Sequence, residues 1–223
     1  MGEDLLQWMI AEMFRGLVEG YLAERGVVAL TGADQFIYWE QYAPTKTRAP
    51  DVYVLPGVAP GTRVTSWKIW ETGIAPSFAL EVVSSNDVEK DYRDAPPRYA
   101  EMGVTELVLF DPDFELDPSR VRFQVYRRLA RRGFTRVERT TGDRIRSRVL
   151  GCWLRSVGAG AATRLRLATG VEGETLWPTE TERADAERAA KDAERAAKEA
   201  AEARADRAEA ELARLRAELA KRS

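Results

Sequence analysis

Histidine is absent from all 223 residues, and cysteine occurs once, as Cys152. Without an imidazole there is no Ser-His-Asp or Cys-His catalysis, no His-ligated zinc or iron, and no histidine acid–base catalyst. One thiol cannot close an internal disulfide or build a four-cysteine metal site. Lying beside Trp153 in an apolar run, it reads as buried and inert. Such thiol usage suits a reducing, cytoplasmic setting. Net charge is nearly absent too, −2 from 34 basic and 36 acidic side chains. No basic segment followed by an apolar core opens the chain, so no signal peptide is expected. No run approaches the roughly 18 apolar residues of a membrane helix, so no membrane partner is expected either. A glycine-rich phosphate loop is also missing, because Gly158-Ala159-Gly160-Ala161 lacks the lysine. Any metal held by such a chain has mostly oxygen ligands, which favours magnesium or manganese.

What is present divides near Trp177-Pro178 into a body, residues 1–177, and a tail, residues 178–223. From Thr179 to Ser223 there is no glycine, proline or aromatic residue, but 16 Ala, 11 Lys+Arg and 12 Asp+Glu. These are strong helix formers, so the tail is one long helix, capped at Thr179 or Thr181. Apolar positions from Ala186 to Leu219 recur at spacings of 4-3-4-4-4-3-4-3-4, a heptad seam with one stutter. The seam predicts a homo-oligomer through residues 179–223. The alternative is a solvated single helix held by pairs such as Glu187/Lys191.

The body is mixed. Leu5 to Glu24 reads as an amphipathic helix with Leu6, Met9, Ile10, Met13, Leu17 and Tyr21 on one face, ended by Gly26. Strands are expected at 27–30, 36–39, 51–55, 78–83 and 105–110. A helix opened by Asn86 runs towards Met102, with Pro96-Pro97 kinking or splitting it and Gly103 stopping it. Segments 121–129, 134–138 and 145–149 read as an antiparallel meander. The fold class is α/β, or α+β: a mixed sheet flanked by helices, followed by a long C-terminal helix.

Two acids stand out. Alternation puts Ala79, Glu81 and Val83 on one face of their strand and Phe78, Leu80 and Val82 on the other. A glutamate inside so apolar a strand is costly to bury without a partner. Asp51 starts another strand directly after Pro50. Two carboxylates converging at strand ends could hold a divalent ion, which polarises a phosphate and lowers the pKa of an attacking water. Equally, Asp51 could cap a turn while Glu81 pairs with a structural arginine.

The segments Ala49-Pro50-Asp51-Val52, Trp70-Glu71-Thr72-Gly73, Leu80-Glu81-Val82-Val83-Ser84, Tyr99-Ala100-Glu101-Met102-Gly103-Val104 and Leu109-Phe110-Asp111-Pro112 occur in that order. Together they resemble the Uma-type endonuclease family of the PD-(D/E)XK restriction-endonuclease-like superfamily. The resemblance implies a mixed sheet flanked by helices, DNA as substrate, and Mg²⁺ or Mn²⁺ held by Asp51 and Glu81. It also implies a lysine that activates water or stabilises the transition state. The plain motif puts that lysine where Val83 stands. The Uma-type frame, between Asp91 and Tyr99, puts it where Ala95 stands. Lys90 and Arg98 are nearby substitutes, although Lys90 lies about 140° around a helix from position 95. Arg98 carries a guanidinium, a poor base. With Asp91 as an orienting acid, the candidate catalytic set is Asp51, Glu81, Asp91 and Lys90.

Between Arg120 and Arg148 there are 11 arginines against two acids, Glu138 and Asp143. Arg127, Arg128, Arg131 and Arg132 cluster at a hairpin, which is a candidate nucleic-acid face. The alternative is an arginine-rich solvated hairpin. On this chemistry the chain is a metal-dependent DNA endonuclease, weak if the lysine is truly displaced, or an inactive scaffold of the same fold.

Overall fold

The computed structural model describes residues 5–84 and 88–221. Asn86, expected to cap a helix, lies outside them. Two compact units are present, Met1–Trp177 and Pro178–Ser223. The first unit begins with α1 (Leu5–Glu24), then β1 (Ala29–Gly32), β2 (Phe36–Tyr38), β3 (Thr47–Arg48), β4 (Val52–Pro56) and β5 (Ser66–Lys68). Next come α2 (Ile69–Thr72), β6 (Phe78–Val82), α3 (Ala95–Met102), β7 (Glu106–Phe110), β8 (Phe123–Leu129) and β9 (Gly133–Thr140). The unit closes with β10 (Arg144–Ser147), β11 (Cys152–Val157), β12 (Arg164–Thr169) and β13 (Thr175–Leu176).

The fold is mixed α+β, as the sequence predicts. A six-stranded sheet in the order β1-β4-β6-β7-β8-β9 forms its centre. Strands β6 and β7 run parallel, so a crossover must join them, and α3 lies in it. The other pairs in this sheet are antiparallel. Alternation along β6 falls as expected. Phe78, Leu80 and Val82 share a core with α1, while Ala79 and Val83 share one with Tyr99 and Met102 of α3. Glu81 therefore lies on the α3 side. Helix α1 buries Ile10, Phe14, Leu17, Val18 and Tyr21. Its buried stripe is rotated slightly from the expected face, leaving Met9 and Met13 half-buried.

Two expectations need correction. The meander stops after two strands, because β10 leaves the central sheet to pair with β11 in a second sheet, β10-β11-β12-β13. That sheet supplies Ile145, Leu154, Leu165 and Leu167 to the core beneath α1. The helix towards Met102 is not split: helical backbone runs unbroken from residue 88 to Met102, with a π-type turn, Lys90–Asp94, leading directly into α3, where the Ala95 N–H donates to the Lys90 carbonyl. The prolines follow at once, and the wider turn lies where their missing N–H groups interrupt the hydrogen-bond ladder. Gly103 ends α3 at φ 93°, a left-handed conformation that favours glycine.

Within the second unit, α4 (Glu180–Ala220) opens with a capping box. Glu182 N–H donates to the Thr179 hydroxyl at 3.1 Å, and Thr179 N–H to the Glu182 carboxylate at 2.8 Å. Lys191 pairs with Glu187 and Arg195 with Glu199 along its surface. Among the described residues, no helix is long and apolar enough to cross a membrane.

Arg127 belongs to this framework. Its Nε donates to Glu106 at 2.5 Å and its Nη2 to the Arg146 carbonyl at 2.7 Å, while Glu106 also accepts from the Ser147 hydroxyl. The pair joins the two larger sheets, and Glu106 is fully buried. Removing one partner of a buried pair leaves an uncompensated charge. Arg127→Ala is therefore expected to lower the unfolding free energy by about 3–5 kcal/mol, measured by denaturant titration. A loss under about 1 kcal/mol, the range of exposed pairs, would contradict this structural role.

Candidate functional site

The site begins with a register. Strands β4 and β6 pair Val54 with Phe78, Tyr53 with Ala79 and Val52 with Leu80. One step further, the same register sets Asp51 opposite Glu81. Where the ladder ends, Asp51 Oδ2 accepts the Val82 N–H at 2.5 Å. The Gln7 amide of α1 donates to both Asp51 oxygens, at 3.3 and 3.4 Å, and to the Val82 carbonyl at 2.9 Å. Both acids are buried, at 7% and 4% exposure. Like charges directly opposite on neighbouring strands repel.

A cation relieves part of that repulsion, and it is one the sequence analysis missed. Arg48, at the end of two-residue β3, donates Nε to Glu81 Oε1 at 2.8 Å and Nη2 to Asp91 Oδ1 at 3.0 Å. Its guanidinium lies 5.8 Å from the centre of the Tyr99 ring. The Tyr99 hydroxyl donates to the same Glu81 oxygen at 2.5 Å. Asp91, from the π-type turn, also takes the Ser84 N–H at 3.2 Å. One signal could have exposed Arg48, a basic residue three positions before the strand-opening acid in Arg48-Ala49-Pro50-Asp51. Nothing local marks Gln7.

The five buried acids among the described residues are Asp51, Glu81, Asp91, Glu106 and Asp111. Arg48 serves Glu81 and Asp91, Arg127 serves Glu106, and Arg120 grips Asp111 through two bonds. Asp51 alone is left with neutral donors. Burial, and then the Glu81 charge, raise its pKa well above the ordinary carboxylate range. Burial and Glu81 likewise push Asp91 up to about 6, against the opposing pull of the Ser84 N–H, Lys90 and Arg48. For Arg48, burial acts against the charge, yet Glu81, Tyr99 and Asp91 raise its pKa further.

The other expected residues fall elsewhere. Lys90 is exposed and lines an open cleft outside the carboxylates, near enough to influence Asp91. Arg98 lines the same cleft and donates to the Thr45 carbonyl at 2.6 Å. Val83 and Ala95, at the two lysine positions, are buried in the α3-side core. Of the hairpin arginines, Arg127 is buried in its ion pair, and Arg128 donates to the carbonyls of Val104 and Ala100. Arg131 and Arg132 are exposed at the β8–β9 turn.

Whether a divalent ion fits can be judged from the oxygens. Among the described residues, Glu81 Oε2 accepts no hydrogen bond and Asp51 Oδ1 meets only the long contact from Gln7. Two carboxylate oxygens suit a hard ion such as Mg²⁺, which keeps several of its waters. Among the described residues, no group of three acidic, cysteine or histidine side chains forms a fuller cage.

Residues 7–157, about two thirds of the chain, match the family model Uma2, described as "Putative restriction endonuclease". The chain belongs to that family. Among solved structures it is similar to a "putative nuclease belonging to DUF820" from Anabaena variabilis ATCC 29413. Identity is 11% and TM-score 0.47, over 68% of this chain and 76% of that one, a likeness too slight to add to the family match. No curated protein matches.

The raised pKa of Asp91 has a consequence for stability. An unfolded aspartate releases its proton near pH 4, whereas this one holds it to about 6. Between those values the folded chain binds more protons, so stability falls as pH rises. Asp91 thus contributes stability that is full below about pH 4 and lost on passing about 6. Thermal melts across that window should show wild type losing more, relative to Asp91→Asn, as pH rises. Parallel curves would refute the assignment.

Proposed function

We propose that the chain is a slow Mg²⁺- or Mn²⁺-dependent DNA endonuclease that hydrolyses phosphodiesters at Asp51 and Glu81. The observation that carries this reading is the unmatched charge: two buried carboxyls, Glu81 and Asp91, share one guanidinium, and the buried Asp51 faces Glu81 with no cation of its own. Such a site must either keep a proton or admit a cation. Asp51 and Glu81 would hold that ion, which supplies electrophilic polarisation of the phosphate and a more acidic water.

The chain's own groups set the geometry. Gln7 and the Val82 N–H fix the Asp51 carboxylate. Tyr99 and Arg48 both engage Glu81 Oε1, which leaves Oε2 available, and Asp91 orients Arg48. Arg48 cannot replace the missing lysine as a base, since a guanidinium does not give up its proton at any ordinary pH. Loss of one transition-state contact costs on the order of 100-fold or more, so slow turnover is expected.

Nicking of supercoiled plasmid in Mg²⁺ or Mn²⁺ tests the assignment. Asp51→Ala and Glu81→Ala should each reduce the rate by about 100-fold or more. Cleavage that survives the double substitution overturns the site. The buried Val83 and Ala95 favour a second reading, a nonhydrolytic scaffold. Absence of metal binding in calorimetry on wild type would decide for it.

The tail fits either reading. We assign residues 1–177 to the nuclease-like domain and 178–223 to a helix that self-associates. Leu212, Leu215 and Leu219 are exposed along one seam of α4, the strongest part of the heptad pattern. Truncation before Thr179 should lower the mass measured by light scattering to that of a monomer. An unchanged oligomer would exclude the tail as its cause.

A further inference from the structure

We infer that the open cleft between the 45–48 segment and the Lys90–Glu101 segment is the seat of the DNA backbone, in place of the β8–β9 hairpin. The inference rests on the nuclease reading for its choice of ligand, but it concerns binding alone. Lys46, Arg48, Lys90, Arg93 and Arg98 line the cleft, against two acids, Asp94 and Glu101. Its volume of about 830 Å³ admits a stretch of polymer rather than a single ion. The five cations come from two segments distant in sequence, so no charge run announces them.

Arg48 joins the cleft to the acids. It lines the cleft while its Nε and Nη2 bind Glu81 and Asp91, and its Nη1 hydrogen-bonds to no described residue. A guanidinium held on one edge by carboxylates presents its remaining N–H groups in a fixed direction, the arrangement that suits a phosphate oxygen. Further out, the partly exposed Lys46 pairs with Glu101, and Arg93 with Glu89, both well exposed. Exposed pairs of this kind are weak and exchange readily for phosphate. The hairpin offers less: Arg127 and Arg128 are committed to Glu106 and to backbone carbonyls. A phosphate held at Arg48 would lie next to Glu81, which shares that guanidinium.

Fluorescence anisotropy with a labelled duplex of about 20 base pairs, in EDTA at about 0.1 M salt, separates binding from cleavage. Lys90→Gln/Arg93→Gln is expected to weaken binding at least about tenfold and to make the salt slope shallower by about 2. Both side chains are exposed, so an unaltered melting curve would show that the variant is folded. The inference is overturned if this pair leaves affinity and slope unchanged, or if Arg131→Gln/Arg132→Gln has the larger effect. It is overturned as well if the wild-type chain binds no DNA. The hydrolase reading fails separately: a wild type that binds through the cleft but never nicks plasmid sinks that reading and leaves the cleft intact.

Discussion

The register of β4 against β6 sets two acids face to face, and the surrounding domain is arranged about that repulsion. A one-residue slip would send Asp51 to the opposite face, and every core residue of β4 with it. The apolar positions Val52 and Val54 on one side, Tyr53 and Leu55 on the other, therefore hold the acids together as firmly as they hold the sheet. Packing imposes the electrostatic strain, and the elements around it answer that strain. Tyr99 comes from α3, Gln7 from α1, Asp91 from the π-type turn and Arg48 from a strand only two residues long.

The rest of the interior shows how this protein treats a buried acid when nothing more is asked of it. Asp111 receives a two-pronged Arg120 and the Tyr92 hydroxyl. Glu106 receives Arg127, Ser147 and the Arg148 N–H. Both sites are saturated. Set beside them, Asp51 is the exception within one and the same core, which argues against its being an ordinary strand-end acid. Its neutral partners orient the carboxylate without quenching it. Orientation without neutralisation is what a cation-binding oxygen needs.

Much of this was legible beforehand, and the limits follow from contact distance along the chain. Helix α1 and strands β4, β6 and β7 show in the sequence because their period and end signals are local. The alternation of β6 placed Glu81 on the correct face before any partner was known. Arg48 escaped notice because a two-residue strand has no period to detect, and its partners lie 33 and 43 positions away. The irregularity before α3 was half visible: Pro96-Pro97 required a disturbed helix, but not that it would take the form of a π-type turn carrying Asp91. The arginine excess at 120–148 is plain in the sequence, but which of its members turn inward is not. Composition sums charge along the chain, whereas Arg120 and Arg127 spend theirs on buried acids in the interior.

Replacing a lysine with an arginine at the edge of such a site changes its chemistry in one direction only. A guanidinium binds two acceptors in a plane and stays charged, so it can order Glu81 and Asp91 together while presenting N–H groups outward. An ammonium is a point charge without that fork. The cost is proton transfer, since the cation nearest the phosphate cannot relieve an attacking water of its proton. On the proposed nuclease reading, binding and charge stabilisation would therefore persist with Val83 and Ala95 in place of a lysine, while turnover would suffer. On that same reading, the position of Arg48 predicts a fold that holds DNA and cuts it slowly.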